Sequence, residues 1–340
     1  MTTRTRYFLI ASLLVIVVGV GTGLVAYYVG FQPSAFSRQG GPDELQYVPR
    51  DASLVAYANV QEVMTSELRQ KVRQAVQLKG DRQQEFENET GINIETDIDH
   101  VVAFVAPLRE ADGNLPVSGV VLARGTFNEV KIEALMREHG AHVEDYKGTR
   151  LIVADAALQK ETGNRAAAAP RESFTLSFFE PGLVALGGSP LIRSAVDLKS
   201  GGESVTTNKE MMDLVRSLDS GNVWAVGRFD ALRSQAKLPA GVANQLPPIT
   251  WFSASGQVNG GIRGVLRAET QDEESANNLR DVIRGFISLA KLQTTSKPEM
   301  QALVRSLELG GTGKTVALSF SVPAELFDLL GAGIQKQPGR

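Results

Sequence analysis

The longest feature in the hydropathy pattern comes first. Phe8 to Val29 is an apolar run of 22 residues without a charge. As a helix rising 1.5 Å per residue it would span about 33 Å, the depth of a bilayer's hydrocarbon core. Tyr7 and Phe8 stand at one edge and Tyr27 and Tyr28 at the other, where amphipathic rings meet the membrane interfaces. The next stretch, Phe31 to Tyr47, is rich in Gly, Pro, Ser and Gln and holds no period, as a tether would. From Val48 onward short apolar alternations and amphipathic stretches take turns, and these predict a folded body.

Leu54–Val60 reads as a strand, followed by a helix over 61–78 and a second over 81–90 that Gly91 stops. His100–Ala106 and Val117–Gly125 read as strands joined through a turn at 112–114. A helix over 128–139 follows, with Asn128 as N-cap and Gly140 as its stop. Hairpins are predicted at Lys147-Gly148 and Pro181-Gly182, separated by a long loop over 155–172. Ser189-Pro190 then opens a helix, with Ser189 as the expected N-cap.

The second half predicts a helix over 208–218, a strand over 223–229, a short helix, and a hairpin of 249–258 and 261–270 around Asn259-Gly260. A long helix over 272–292, another near 298–307, a strand over 314–322 and a helix over 323–330 complete it. The halves resemble each other. Leu54–Val60 matches Val223–Phe229 in pattern, Val121-Leu122 and Thr126 match Val265-Leu266 and Thr270, and Asn128 matches Asp272. Hairpins mixed with helices predict an α+β fold, antiparallel sheet with packed helices, built by tandem duplication behind an N-terminal transmembrane helix. The expected division is 1–30 for the cytoplasmic stub and span, 31–47 for the tether, 48–202 and 203–331 for the two α+β halves, and 332–340 for a disordered tail.

Charge sets the orientation. Arg4 and Arg6 precede the span and the next charge is Arg38, so the N-terminus is expected in the cytoplasm and the body outside. A cleaved signal peptide is the competing reading, but its apolar core runs to about 7–15 residues, and Leu24-Val25-Ala26 is a poor cleavage site. Gly19 and Gly23 form a G-x-x-x-G pair that offers a route to homodimerisation. With 35 basic against 38 acidic residues the chain has no electrostatic footprint for nucleic acid. It has no cysteine, which removes disulfides, thiolate metal sites and a cysteine nucleophile.

The motifs that suggest chemistry fail on spacing or context. Gly310-Gly311-Thr312-Gly313-Lys314-Thr315 resembles a phosphate loop, but Glu308 takes the place of its first glycine and a strand follows where a helix is needed. His139 and His142 are separated by a helix stop, and Asp97, Asp99 and His100 form the acidic entry to a strand. Ser288 and Lys291 match S-x-x-K late in a helix without its partner motifs. Asn88-Glu89-Thr90 is a glycosylation pattern on a predicted helix, and Trp224 and Trp251 are expected in the sheet core, with a ligand platform as the alternative. No catalytic, cofactor-binding or metal-ligating residue is assigned.

The opening of the body, Val48-Pro49-Arg50-Asp51-Ala52-Ser53-Leu54-Val55-Ala56-Tyr57, resembles an uncharacterised family of bacterial membrane-anchored envelope proteins. In these a membrane helix precedes a Pro-x-Asp-Ala turn and an apolar strand. The likeness extends to Gly125-Thr126-Phe127-Asn128, where a strand enters a helix. The resemblance implies a bacterial envelope location and no catalytic residues. Together these features predict a single-pass module of the inner membrane with its body in the periplasm or outside the cell. It would bind a protein partner or an apolar or envelope ligand without catalysis. The alternative is an anchored hydrolase whose Asp, Glu or Ser residues are brought together by the fold.

Overall fold

The computed structural model describes residues 41–70, 87–108, 117–154, 173–219, 221–229, 247–293 and 298–323. The apolar run at 8–29, the turn at 112–114, the loop at 155–172, the short helix after 229, and the last predicted helix and tail lie outside these residues. Among the described residues no helix is long and apolar enough to cross a membrane. The fold is mostly antiparallel sheet with packed helices, in two compact units.

The first unit takes its described residues from Pro42–Gln61 and Lys79–Met212. It opens with a 3-10 helix, Asp43–Tyr47, whose Glu44, Leu45 and Tyr47 are buried. The tether expected to reach Tyr47 therefore ends earlier, because Leu45 and Tyr47 supply apolar surface that a free linker would expose. Then come β1 (Leu54–Ala58), the start of α1 (Val60–Thr65), which passes into the second unit at Glu62, and β2 (Ile98–Pro107), β3 (Val117–Gly125), α2 (Glu129–Glu138), β4 (His142–Tyr146), β5 (Thr149–Ala154), β6 (Phe174–Glu180), β7 (Leu183–Gly188) and α3 (Ser189–Lys199). The strands of this unit lie in the order β1-β2-β3-β7-β6-β5-β4, each antiparallel to its neighbours.

Local chemistry explains much of this. Lys147 (φ 51) and Gly148 (φ 77) form the tight turn of the β4–β5 hairpin, where two left-handed residues match the twist of the strands. Asn128 caps α2 by accepting a hydrogen bond from the Lys131 amide at 3.0 Å. Ile132 of α2 packs with Ala141, Ile152, Leu176 and Leu186 in one core cluster. Ser189 does not cap α3. Gly188 holds that position, and the Ser189 hydroxyl instead donates to the Ser173 carbonyl at 2.9 Å.

The units divide at Met212/Asp213, inside helix α4 (Lys209–Arg216), where the sequence pattern placed the break at 202/203. Residues 203–208 stay with the first unit because the Arg50 amide donates to the Glu203 carbonyl and the Val205 amide to the Val48 carbonyl. The second unit takes its described residues from 62–70 and from those after Met212. Its elements are β8 (Val223–Arg228), β9 (Ile249–Val258), β10 (Gly261–Thr270), α5 (Glu273–Gln293), α6 (Pro298–Arg305), β11 (Glu308–Gly310) and β12 (Thr315–Pro323). Its strand order is β11-β12-β10-β9-β8, again antiparallel throughout. Asp272 caps α5 by accepting from the Ser275 amide at 2.7 Å. Ala276 and Leu279 of that helix pack on Val316 with Ile249, Ala268 and Leu309 beside them.

Candidate functional site

Two constellations bring chemistry-bearing side chains together, one within each unit. In the first, the 3-10 helix delivers Glu44 to residues of β2, β3 and β6. Glu44 is 2% exposed. Its Oε1 accepts from Arg124 Nε at 2.8 Å, and Arg124 Nη2 donates to Glu180 Oε1 at 2.6 Å. His100 Nε2 lies 3.1 Å from Glu44 Oε2, at ion-pair distance but without the alignment of a hydrogen bond. The His100 ring leans on Tyr57, with centroids 5.5 Å apart.

Burial alone would push the Glu44 carboxyl up, but His100, a backbone amide and Arg124 outweigh it and hold the pKa at about 2. Burial raises Tyr47, and the neighbouring Glu180 carboxylate adds to the rise. Arg124 is raised by Glu180 and Glu44 against the opposing effect of its own burial. A general acid or base needs a pKa near the working pH, and Glu44 and Tyr47 are displaced away from it in opposite directions. The cluster is a clamp that fastens the 3-10 helix to the sheet.

The second constellation is open. A groove of about 400 Å³ lies on the sheet of the second unit. Directly paired residues of antiparallel strands share a face, so the register sets its floor in rows. Ser255, Val265, Ser319 and Glu308 make one row across β9, β10, β12 and β11. Gln257, Arg263 and Ser321 make the next. Ser306 and Asp219 also line the groove. The Ser306 hydroxyl is committed to backbone, donating to the Ser321 carbonyl at 2.7 Å.

Ser255 opens onto this groove, is 7% exposed, and its hydroxyl has no hydrogen-bond partner. One row further along, Ser253 pairs with Arg267 across β9 and β10. The Ser253 hydroxyl and Arg267 Nη1 are likewise buried and unsatisfied, while Arg267 Nη2 donates to Asp219 Oδ2 at 2.7 Å. Buried polar groups nearly always find partners, and an unmade bond costs about 1–3 kcal/mol. Three such atoms lie on neighbouring positions of β9 and β10, with Ser255 alone of these residues lining the groove. The groove's lining includes the carboxylates Asp219 and Glu308 but no His or Lys, and neither carboxylate is hydrogen-bonded to the Ser255 hydroxyl.

The residues singled out by motif are placed elsewhere. His139 Nδ1 is 2.7 Å from the Leu135 carbonyl at the end of α2, and His142 Nε2 is 3.1 Å from Glu144 on β4. Asp97 organises a turn, accepting from the Asn93 amide at 2.8 Å and from the Thr96 hydroxyl at 2.8 Å. His100 joins Glu44, an association no local spacing announces. The Ser288 hydroxyl donates to the Arg284 carbonyl within its own helix. Trp224 is buried on β8. Gly311 to Lys314 turn β11 into β12, with the Thr315 amide donating to the Thr312 carbonyl at 3.0 Å. A strand thus precedes this turn, where the sequence pattern placed a helix. The phosphate-loop geometry is ruled out because no helix N-terminus follows. Among the described residues no group of three or more His, Asp or Glu is placed to hold a metal ion.

No family model, curated protein or solved structure matches the chain.

Proposed function

We propose that this chain is a single-pass, membrane-anchored extracytoplasmic binding module of the bacterial inner membrane, and that its second unit carries the ligand surface. The observation that carries the reading is the groove lined by Ser255, whose buried hydroxyl is unpartnered. Serines, Gln257, Arg263 and Glu308 around it suit a ligand rich in hydroxyls or carboxylates, such as an envelope glycan or an acidic peptide. A polar envelope ligand therefore fits better than the apolar one. The apolar run at 8–29, the basic flank at Arg4 and Arg6, and the likeness to anchored envelope proteins support the location.

The hydrolase alternative would have to draw on Asp219 or Glu308 beside Ser255, neither of which is hydrogen-bonded to its hydroxyl. We also infer tandem duplication, supported by the shared chain order: strand, hairpin, capped helix, and a last strand that returns beside the third.

Two measurements on the full chain test this. Protease added to spheroplasts should digest the body while an inner-membrane marker stays intact; full protection contradicts the topology. Thermal shift of the chain in nanodiscs against muropeptide fragments, acidic oligosaccharides and acidic peptides should find a saturable stabiliser. Its effect should vanish in Ser255→Phe, which fills the groove. A stabiliser equally effective on Ser255→Phe, or none from the panel, contradicts the site.

A further inference from the structure

Val258 pairs with Ile262, so the β9–β10 hairpin turns through residues 259–261. Of the chain's asparagines, Asn259 alone precedes a glycine. Glycine has no Cβ to shield its amide, which lets the Gly260 nitrogen approach Cγ of the Asn259 side chain. A tight two-residue Asn-Gly turn would hold both residues left-handed. Neither Asn259 nor Gly260 has a positive φ here. Gly260 is exposed and Asn259 half-buried. Among the described residues no group accepts from the Gly260 amide, and none bonds the Asn259 side chain. A nucleophile and an electrophile thus stand next to each other in the chain, and neither is committed elsewhere.

The backbone of the same turn does carry load. The Asn259 amide donates to the Gly261 carbonyl at 2.9 Å, and the Asn259 carbonyl accepts from the Leu68 amide at 3.1 Å. Leu68 is fully buried, so this bond ties the 62–70 segment of the second unit to its hairpin. Glu67 Oε2 stands beside the turn, 3.3 Å from the place a Cβ on Gly260 would take.

We propose that Asn259 is a site of self-modification, and that its conversion loosens the 62–70 segment from the hairpin. The deprotonated Gly260 nitrogen attacks Cγ of Asn259. The new N–Cγ bond closes a succinimide ring as the Cγ–Nδ2 bond breaks, and ammonia leaves with a proton taken from water. A second water opens the ring at either carbonyl, giving aspartate or isoaspartate, with no oxidant or reductant required. Both products place a carboxylate near Glu67, and like charges side by side repel. The isoaspartyl product also routes the main chain through Cβ and Cγ. The carbonyl that holds Leu68 then becomes part of a free carboxylate. This inference rests on neither the groove nor the anchor.

The test uses the full chain in nanodiscs, aged at mildly alkaline pH, digested in acid and mapped by mass spectrometry. Asn259 should convert at least about tenfold faster than any other asparagine of the folded chain. Gly260→Ala meets only the movable tip of Glu67 and should fold, but its methyl crowds the attacking nitrogen. It should slow the conversion at least about tenfold. An Asn259 that stays intact in the folded chain overturns the site, and so does a Gly260→Ala chain that converts at the parent's rate. Hydrogen exchange reads the consequence. The peptide spanning 66–70 should exchange at least about fivefold faster in the aged chain than in the fresh one, and no faster in aged Gly260→Ala. Unchanged exchange in a chain that has converted overturns the loosening of the segment.

Discussion

Both units contain a strand, a pair of antiparallel strands and a capped helix in that order, and they differ in how many of their buried polar atoms are satisfied. In the first, buried polar atoms are mostly tied to one another, with His100 Nε2 held at ion-pair distance from Glu44. Arg124 bridges Glu44 and Glu180, Ser177 donates to the Arg150 carbonyl at 2.8 Å, and Ser189 meets Thr175 and the Ser173 carbonyl. In the second, Ser253, Ser255 and Arg267 Nη1 sit on the central strands with hydrogen-bonding capacity unspent, as does Asn222 Oδ1. A sheet whose polar interior is closed on itself gains a fixed structure. One with unspent hydrogen-bonding capacity is the basis on which we propose a ligand surface.

The ladders also set the register of the proposed internal repeat. Leu122 leads through Val102 to Tyr57 along the ladders of the first unit, and Leu266 leads through Ala254 to Ala225 in the second. Tyr57 therefore corresponds to Ala225, one position away from Val226, its match in the aligned sequences. Since one residue of slip exchanges the two faces of a strand, this shift puts different side chains on the equivalent faces of β1 and β8.

The largest effect is expected at the clamp. Glu44→Ala leaves Arg124 and His100 short of a buried partner and should lower the unfolding free energy of the first unit by about 3 kcal/mol, read by urea denaturation. A change within about 0.5 kcal/mol would make the cluster incidental. Acid should act through the same group. The Glu44 pKa is about 2 in the folded state against an ordinary 4.5. Its contribution is therefore complete above pH 4.5 and lost as pH falls through 2. At 1.36 kcal/mol per pH unit this amounts to roughly 3 kcal/mol, and Glu44→Gln should remove that part of the pH dependence.

Smaller effects test the parity of the units. Asn128→Ala should cost about 1 kcal/mol through loss of its cap, and Asp272→Ala should destabilise the second unit in the same direction. A cap loss felt in one unit and not in the other would weaken the duplicated plan. The smallest effect belongs to Lys314→Ala, expected within about 0.5 kcal/mol of the parent. Saturable ATP or GTP binding to the parent chain, abolished by this substitution, would overturn the assignment of Gly311 to Lys314 as a hairpin turn.

What could be foreseen from sequence was local. Lys147-Gly148, Pro181-Gly182 and Asn259-Gly260 announce their hairpins, and Asn128 and Asp272 their helices, because turns and caps are decided by neighbouring residues. The two constellations were not foreseeable in this way. Glu44 stands in a Gly-, Pro- and Gln-rich stretch, and Arg124 lies 80 residues away. Ser255 reads as one polar position in an alternating strand. Only the pairing of β10 with both β9 and β12 sets Ser319 in its row and Arg263 and Ser321 in the next. Non-sequential register of this kind leaves no short-range mark.

The difference between a closed and an open polar interior comes down to one substitution made twice. Ser177→Ala and Ser255→Ala remove the same hydroxyl from a buried strand position, once where it is bonded and once where it is not. Unfolding free energies of the two variants, measured in the absence of ligand, should differ by about 1–2 kcal/mol. Ser177→Ala should be destabilised and Ser255→Ala unchanged or slightly more stable. Equal destabilisation of both would mean that Ser255 is satisfied from within the protein, and the groove would lose its claim to a ligand.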